Sequence, residues 1–280
     1  MGAVVASRLA DKGKEAQAVS IMFAGLTIAN LAGVPLGTFL GNHLSWRYTF
    51  LLIGAIGLIT LVSLQLWMPA LKAGKKENLA QQLTFFRSAE SWMIMLIIAV
   101  GTGGLFCWIS YISPLLTEVS GFSRDAVPYI LAFAGLGMCA GNLLGGRLAD
   151  KFSPSWTVLS LLLSMSISLI FVALLSEYKI LALGMTFITG ALAFSLVAPI
   201  QMLVIQSARG SEMFAAAVAQ ACFNVSNALG AYLGGLPIAA GYSFTAPEWV
   251  GVGMALGGAG FAAALIQFKK RTSMQQALPL

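Results

Sequence analysis

Apolar residues run in blocks of about 20 along the whole chain, the length of helix that crosses a ~30 Å hydrocarbon layer. Eight blocks reach that size: Ala18–Leu40, Tyr48–Trp67, Trp92–Leu116, Val127–Leu144, Trp156–Leu175, Ile180–Ile205, Met213–Ile238 and Trp249–Phe268. Each is a predicted membrane-spanning helix. Ahead of them, Gly2 to Leu9 reads as the stub of a ninth span. The separators are short and polar, with one exception. The stretch 70–91 carries Lys72, Lys75, Lys76, Glu77, Arg87 and Glu90, which makes it the natural linker between two bundles. Its Leu79, Leu83 and Phe86 recur at helical spacing, so it is either a helix lying on the membrane surface or a plain solvated linker.

Composition supports this reading. Of 280 residues, 58% are hydrophobic and 9% charged, whereas a soluble domain carries about 25% charged residues. The fold class is therefore an all-α membrane protein. Cys107, Cys139 and Cys222 lie in apolar stretches without a CxxC pair, as packing residues do. The single histidine, His43, sits in an outer loop, which leaves a metal cluster or a His-based catalytic triad without ligands. Gly135-Leu136-Gly137-Met138-Cys139-Ala140 fits a dinucleotide-binding GxGxxA pattern but lies inside a span, without the strand that pattern needs. Small-residue helix packing is the expected use of those glycines. No enzyme activity, cofactor or metal is expected, and the net charge of +6 is no nucleic-acid signature.

The charge instead follows topology. With loops assigned alternately to two sides, Arg47, Arg124 and Lys179 fall on one side and the other 13 of the 16 Lys and Arg on the opposite side. That bias makes the richer side cytoplasmic, the C-terminus included. An internal repeat gives a second ruler. Lys12-Gly13-Lys14-Glu15, Asn30, Gly33 and Gly37 recur as Arg209-Gly210-Ser211-Glu212, Asn227, Gly230 and Gly234, each 197 residues on. The copies lie in the first and seventh complete spans, six helices apart, so the repeats are parallel and of about six helices. The expected organisation is 1–69 as the remnant of an N-terminal six-helix half, 70–91 as cytoplasmic linker, 92–268 as the C-terminal six-helix half and 269–280 as cytoplasmic tail. Shifting Trp92 back by 197 puts the start of the first half about 105 residues before Met1. The front of that half is expected to be missing.

This layout resembles the major facilitator superfamily. Gly25, Asn30, Gly33, Pro35, Gly37 and Gly41, followed by Ser45-Trp46-Arg47, look like the glycine- and proline-rich motif on the fifth helix of drug/proton antiporters with twelve spans. Gly146-Arg147-Leu148-Ala149-Asp150-Lys151 resembles the superfamily's cytoplasmic loop signature, here in its copy between helices eight and nine. The wording around Asn30 to Thr38 and Ser45 to Phe50 is similar to arabinose efflux permease-like members. The resemblance implies a major facilitator-type helical bundle in a bacterial inner membrane. It also implies proton-coupled efflux of small organic solutes, sugars or drug-like compounds, by alternating access.

Two groups of residues carry the expected work. The conformational set is Asn30, Gly33, Pro35, Gly37, Gly146, Arg147, Asp150, Lys151, Asn227, Gly230 and Gly234. Gly33, Gly37 and Gly41 share a face at spacing four, where a missing Cβ lets another backbone approach, and Pro35 bends the span. The resemblance pairs this helix with its repeat-matched counterpart, as a seam between halves; ordinary close packing is the plain alternative. Asp150 can accept bonds from the start of the next helix, and the loop signature implies a latch closed by charge pairs. The substrate-binding set is Trp108, Tyr111, Gln201, Gln220 and Asn224, because amides in hydrocarbon are costly unless they face a partner or a wet cavity. For any one of them an interhelical hydrogen bond is the alternative. Proton coupling comes from the resemblance alone, since no carboxylate is seen deep in a span. The rival readings are a truncated, non-transporting membrane fragment and a solute uptake permease.

Overall fold

With no water to satisfy peptide groups inside a bilayer, an apolar block must bond its backbone internally, and these blocks fold as helices. The computed structural model describes residues 2–33, 36, 40, 45–67, 84–208 and 211–277. In chain order the helices are α1 (Gly2–Leu9), α2 (Glu15–Ile28), α3 (Trp46–Trp67), α4 (Ala89–Val119), α5 (Val127–Lys151), α6 (Pro154–Leu175), α7 (Lys179–Ser207), α8 (Glu212–Ala239) and α9 (Ala246–Ala277). Among the described residues there is no strand.

Prolines shape several of these elements. Pro128 and Pro154 open α5 and α6 in the first turn, where a missing N–H costs nothing. Pro114, which has no N–H to donate, lies within α4 and is followed by a π-helical turn, Leu115–Val119. In α7 the helix breaks at Leu196, between Lys179–Ser195 and Val197–Ser207. Pro199 cannot donate to the Ser195 carbonyl, and that carbonyl faces Gly145 of α5.

The α5–α7 contact is made by glycine. Gly137, Gly141 and Gly145, one turn apart on α5, face the carbonyls of Phe187, Ala191 and Ser195 on α7. A Cβ on those glycines would lie 2.3, 1.8 and 2.0 Å from the three oxygens. The Ser195 hydroxyl donates to the Gly141 carbonyl at 2.8 Å. Gly137 of the GxGxxA pattern is thus a backbone-approach site. On the other side of the bundle, α4 meets α9 through Gly101 against Gly258 and Gly104 against Gly251. Apolar packing fills the space between: Ile94, Ile97, Leu162, Ile200, Leu203 and Leu265 in one cluster, Trp108, Leu116, Met165 and Leu169 in a second. A smaller cluster joins α1, α2, α5 and α7 through Ala3, Ala16, Val19, Ala149, Ala198 and Met202. Helix α3 has no buried residue and turns Ile53, Leu58, Leu61 and Leu64 outward, as a lipid-facing helix does.

Seven of the eight expected spans coincide with a helix; the first, Ala18–Leu40, overlaps α2 and the turn that follows it and then runs largely outside the described residues, so eight complete spans are not established. Among the described residues six helices are long and apolar enough to cross a membrane: α3 to α7, and α9 over Ala246–Thr272. Helix α2 is 14 residues before a π-helical turn at Ala29–Gly33. Helix α8 has the length but carries Gln220, Asn224, Ser226 and Asn227. The expected linker lies mostly outside the described residues. Helix α9 continues through Ala277, beyond the Phe268 end that hydropathy gave it and into the expected tail.

Candidate functional site

Helix α2 starts after a turn in which Gly13 takes a positive φ of 81° and its N–H donates to Glu15 Oε2 at 3.0 Å. The first N–H groups of any helix lack intrahelical partners. Two of these on α2 find one far along the chain: Ala16 N–H donates to Asp150 Oδ1 at 2.9 Å and Gln17 N–H to Oδ2 at 3.0 Å. One carboxylate therefore caps a helix 134 residues away, and its charge lies at the positive end of the α2 dipole.

The geometry explains the residues before Asp150. Gly146 is one turn back on the same face, and a Cβ there would fall 2.7 Å from Ser20 Cβ and 3.0 Å from the Ala16 carbonyl. Another turn back, Asn142 is fully buried; its Nδ2 donates to the Ser20 carbonyl at 2.7 Å, while Ser20 Oγ donates to the Asn142 carbonyl. Asn142, Gly146 and Asp150 thus form one stripe that seats α2 against α5. Arg147 and Lys151 are exposed, the Lys151 ammonium 5.5 Å from the Phe152 ring centroid.

Two expectations are corrected here. Asp150 does not bond the start of the following helix, which begins at Pro154 behind an extended Ser153; it bonds α2. Among the described residues its contact is carboxylate to main chain. The glycine seam also differs. Gly230 packs on the Gly103 carbonyl and Phe106, and Gly234 on Tyr111 and Cys107, so both face α4 within the C-terminal segment, not α2. Gly33 is exposed, and a Cβ added there would meet nothing within 4 Å. Pro35 and Gly37 lie outside the described residues, as does the side chain of Asn30.

The substrate candidates separate by exposure. Gln220 and Asn224 are exposed on α8, one turn apart, with Asn227 exposed beyond them. Trp108 and Gln201 are buried, and among the described residues Trp108 Nε1 and Gln201 Oε1 have no hydrogen-bond partner. The Tyr111 hydroxyl donates to the Ala231 carbonyl at 2.7 Å, an interhelical role. Above this region, the ends of α4 and α5 border a cavity of ≈ 490 Å³ lined by Ser113, Thr117, Glu118 and Arg124 among others. Sequence reasoning passed over Ser20, an ordinary-looking hydroxyl in an apolar span. It also placed Glu248 outside the span it opens.

The model of the Major Facilitator Superfamily matches residues 1–230. The chain belongs to the Major Facilitator Superfamily. Within that superfamily it is 38% identical to AraJ of Escherichia coli (strain K12) over 244 residues, 87% of this chain and 62% of AraJ. It is 36% identical over 246 residues to the inner membrane transport protein YdhP of Escherichia coli O157:H7, 87% of this chain and 63% of YdhP. A Helicobacter pylori (strain G27) protein named "Probable sugar efflux transporter" is 30% identical over 233 residues, 82% of this chain and 59% of that protein. The chain thus spans less than two-thirds of the length of these curated relatives. Superfamily membership and six apolar helices make it an integral, multi-pass membrane protein.

Proposed function

We propose that this protein is a secondary active transporter of a bacterial inner membrane, exporting small organic solutes in exchange for protons by alternating access. The observation that carries this reading is the Asp150 cap on α2. In the proposed cycle this cap is a switchable contact at the cytoplasmic ends of two helices from different halves. Hydrogen bonds to a charged group contribute roughly 1.5–3 kcal/mol each. Two of them bias a conformational equilibrium strongly, yet remain within reach of a ligand's differential affinity. Arg147 and Lys151 act as cytoplasmic charges beside the cap, and Gly146 sets the closeness of the helices.

On α8 the exposed amides Gln220, Asn224 and Asn227 form the solute-facing side. An amide turned to lipid is expensive, whereas in a wet cavity it can bond the hydroxyls of a sugar. The name of the Helicobacter pylori relative supports sugars as the first class to test.

The test uses everted membrane vesicles from cells producing the protein, energised so that protons accumulate inside, with a panel of radiolabelled neutral pentoses and hexoses. The expected result is sugar accumulation that a protonophore abolishes. Accumulation only in right-side-out vesicles would identify an uptake permease, and no movement of any solute in a membrane-inserted protein would identify a non-transporting chain.

A further inference from the structure

Glu248 lies in the first turn of α9 and is fully buried, at 0% exposure. Among the described residues neither carboxyl oxygen has a hydrogen-bond partner. Its surroundings follow from the glycine contacts beside it. Next to it in the chain, Pro247 packs 3.5 Å from the Cβ position of Gly234 on α8, which Tyr111 and Cys107 of α4 approach at 3.1 and 3.5 Å. One turn along α9, the Cβ position of Gly251 is 3.3 Å from Cys107 and 3.1 Å from Leu169 of α6. The side chain therefore lies among α4, α6 and α8. Among the described residues, the titratable groups at these glycine contacts are Cys107 and Tyr111, both on α4; α6 brings Leu169, and α8 brings Gly234. None of these is a lysine or arginine. Trp108, next to Cys107, is 1% exposed, and its Nε1 also has no partner.

An ionised carboxylate enclosed in this way, without counter-charge or donor, costs several kcal/mol. Ionisable groups inside membrane bundles mark proton and solute pathways. We propose that Glu248 is a proton-binding site of the C-terminal segment, loaded in the closed packing of α4, α8 and α9 and unloaded when water reaches it. In the unloading step the carboxyl O–H bond breaks, its electron pair stays on the carboxylate, and the proton leaves on a water molecule. Used as a coupling site, Glu248 rests on the proton-exchange reading above; proton binding itself does not.

Infrared difference spectroscopy of the full chain in lipid vesicles reads the acid without any substrate. The expected result is a protonated-carboxyl stretch at neutral pH that shifts on transfer to deuterium oxide and is missing in Glu248→Gln. The absence of that stretch in the wild type, its failure to shift with deuterium, or its persistence in Glu248→Gln would each overturn the proposal. Should the glutamine variant not fold, the wild-type deuterium shift and the displaced stretch of Glu248→Asp decide the matter. For coupling, Glu248→Gln is expected to keep sugar-for-sugar exchange at equal concentrations but lose accumulation driven by a proton gradient; retained accumulation overturns the coupling role. If the wild type moves no sugar at all, the transport reading fails while the infrared result still stands.

Discussion

Ser20 and Asn142 bond each other in both directions across the α2–α5 contact: Ser20 Oγ donates to the Asn142 carbonyl at 2.5 Å, and Asn142 Nδ2 to the Ser20 carbonyl at 2.7 Å. Both residues are buried, at 1% and 0% exposure. Interhelical bonds of this kind are worth roughly 0.5–1.5 kcal/mol in membrane bundles. Ser20→Ala and Asn142→Ala each remove one donor and leave the main-chain carbonyl it bonded, so each variant, read by unfolding in mixed micelles, is expected to lose stability in that range. Wild-type stability in both variants would show that the reciprocal bonds do not hold α2 on α5.

Asp150→Asn replaces one of two acceptor oxygens with a donor that faces the Gln17 or Ala16 N–H, and it removes the charge at the helix start. The loss expected is about 1–2 kcal/mol of α2 docking. Membrane insertion should be normal and transport reduced; a well-inserted variant with wild-type transport would argue against a latch. Asp150→Glu should restore little, because the longer side chain displaces both oxygens from the two amides.

Gly141→Ala places a methyl 1.8 Å from the Ala191 carbonyl, a backbone atom that cannot swing aside. Overpacking of this kind costs about 1–3 kcal/mol. Gly253→Ala on α9, with nothing within 4 Å, is the control. Thermal unfolding in detergent should separate the two variants clearly, and equal midpoints would refute the packing role of the α5 glycines.

Tyr111→Phe deletes the bond to the Ala231 carbonyl and should cost roughly 1 kcal/mol of stability with little change in apparent solute affinity. Asn224→Ala should do the reverse, weakening solute affinity at nearly unchanged stability. Measured side by side in equilibrium binding and unfolding, a swap of these outcomes would move the solute-facing side from α8 to α4.

Helix positions were legible because a run of apolar residues has few alternatives in a bilayer; Pro154–Leu175 lies within two residues of its expected span. What touches what was far less legible. The Gly146-to-Asp150 spacing announced a helix end under a carboxylate. Nothing in the local sequence could say whether that end belonged to the next helix or to one 134 residues away. Of Gly137, Gly141 and Gly145, only Gly137 was singled out, in a nucleotide-like pattern, since carbonyls on a partner helix leave no trace in composition. Glu248 was hidden for another reason. Hydropathy puts a charged residue at the edge of a span and cannot tell whether that edge meets water or the interior of a bundle.

The α2 contact with Asp150 is made to main-chain amides, so residue 17 need supply no particular side chain to it, whereas Ala16, 1% exposed, has room only for a small one. The partner surface is blind to ordinary substitution: polar, apolar or charged residues can replace Gln17 while the cap stays intact. A proline at position 17 removes one of its two bonds, since proline has no N–H to offer. The contact therefore tolerates drift on α2 and tolerates almost none at Asp150, an asymmetry that a saturation library scored at positions 17 and 150 would display directly.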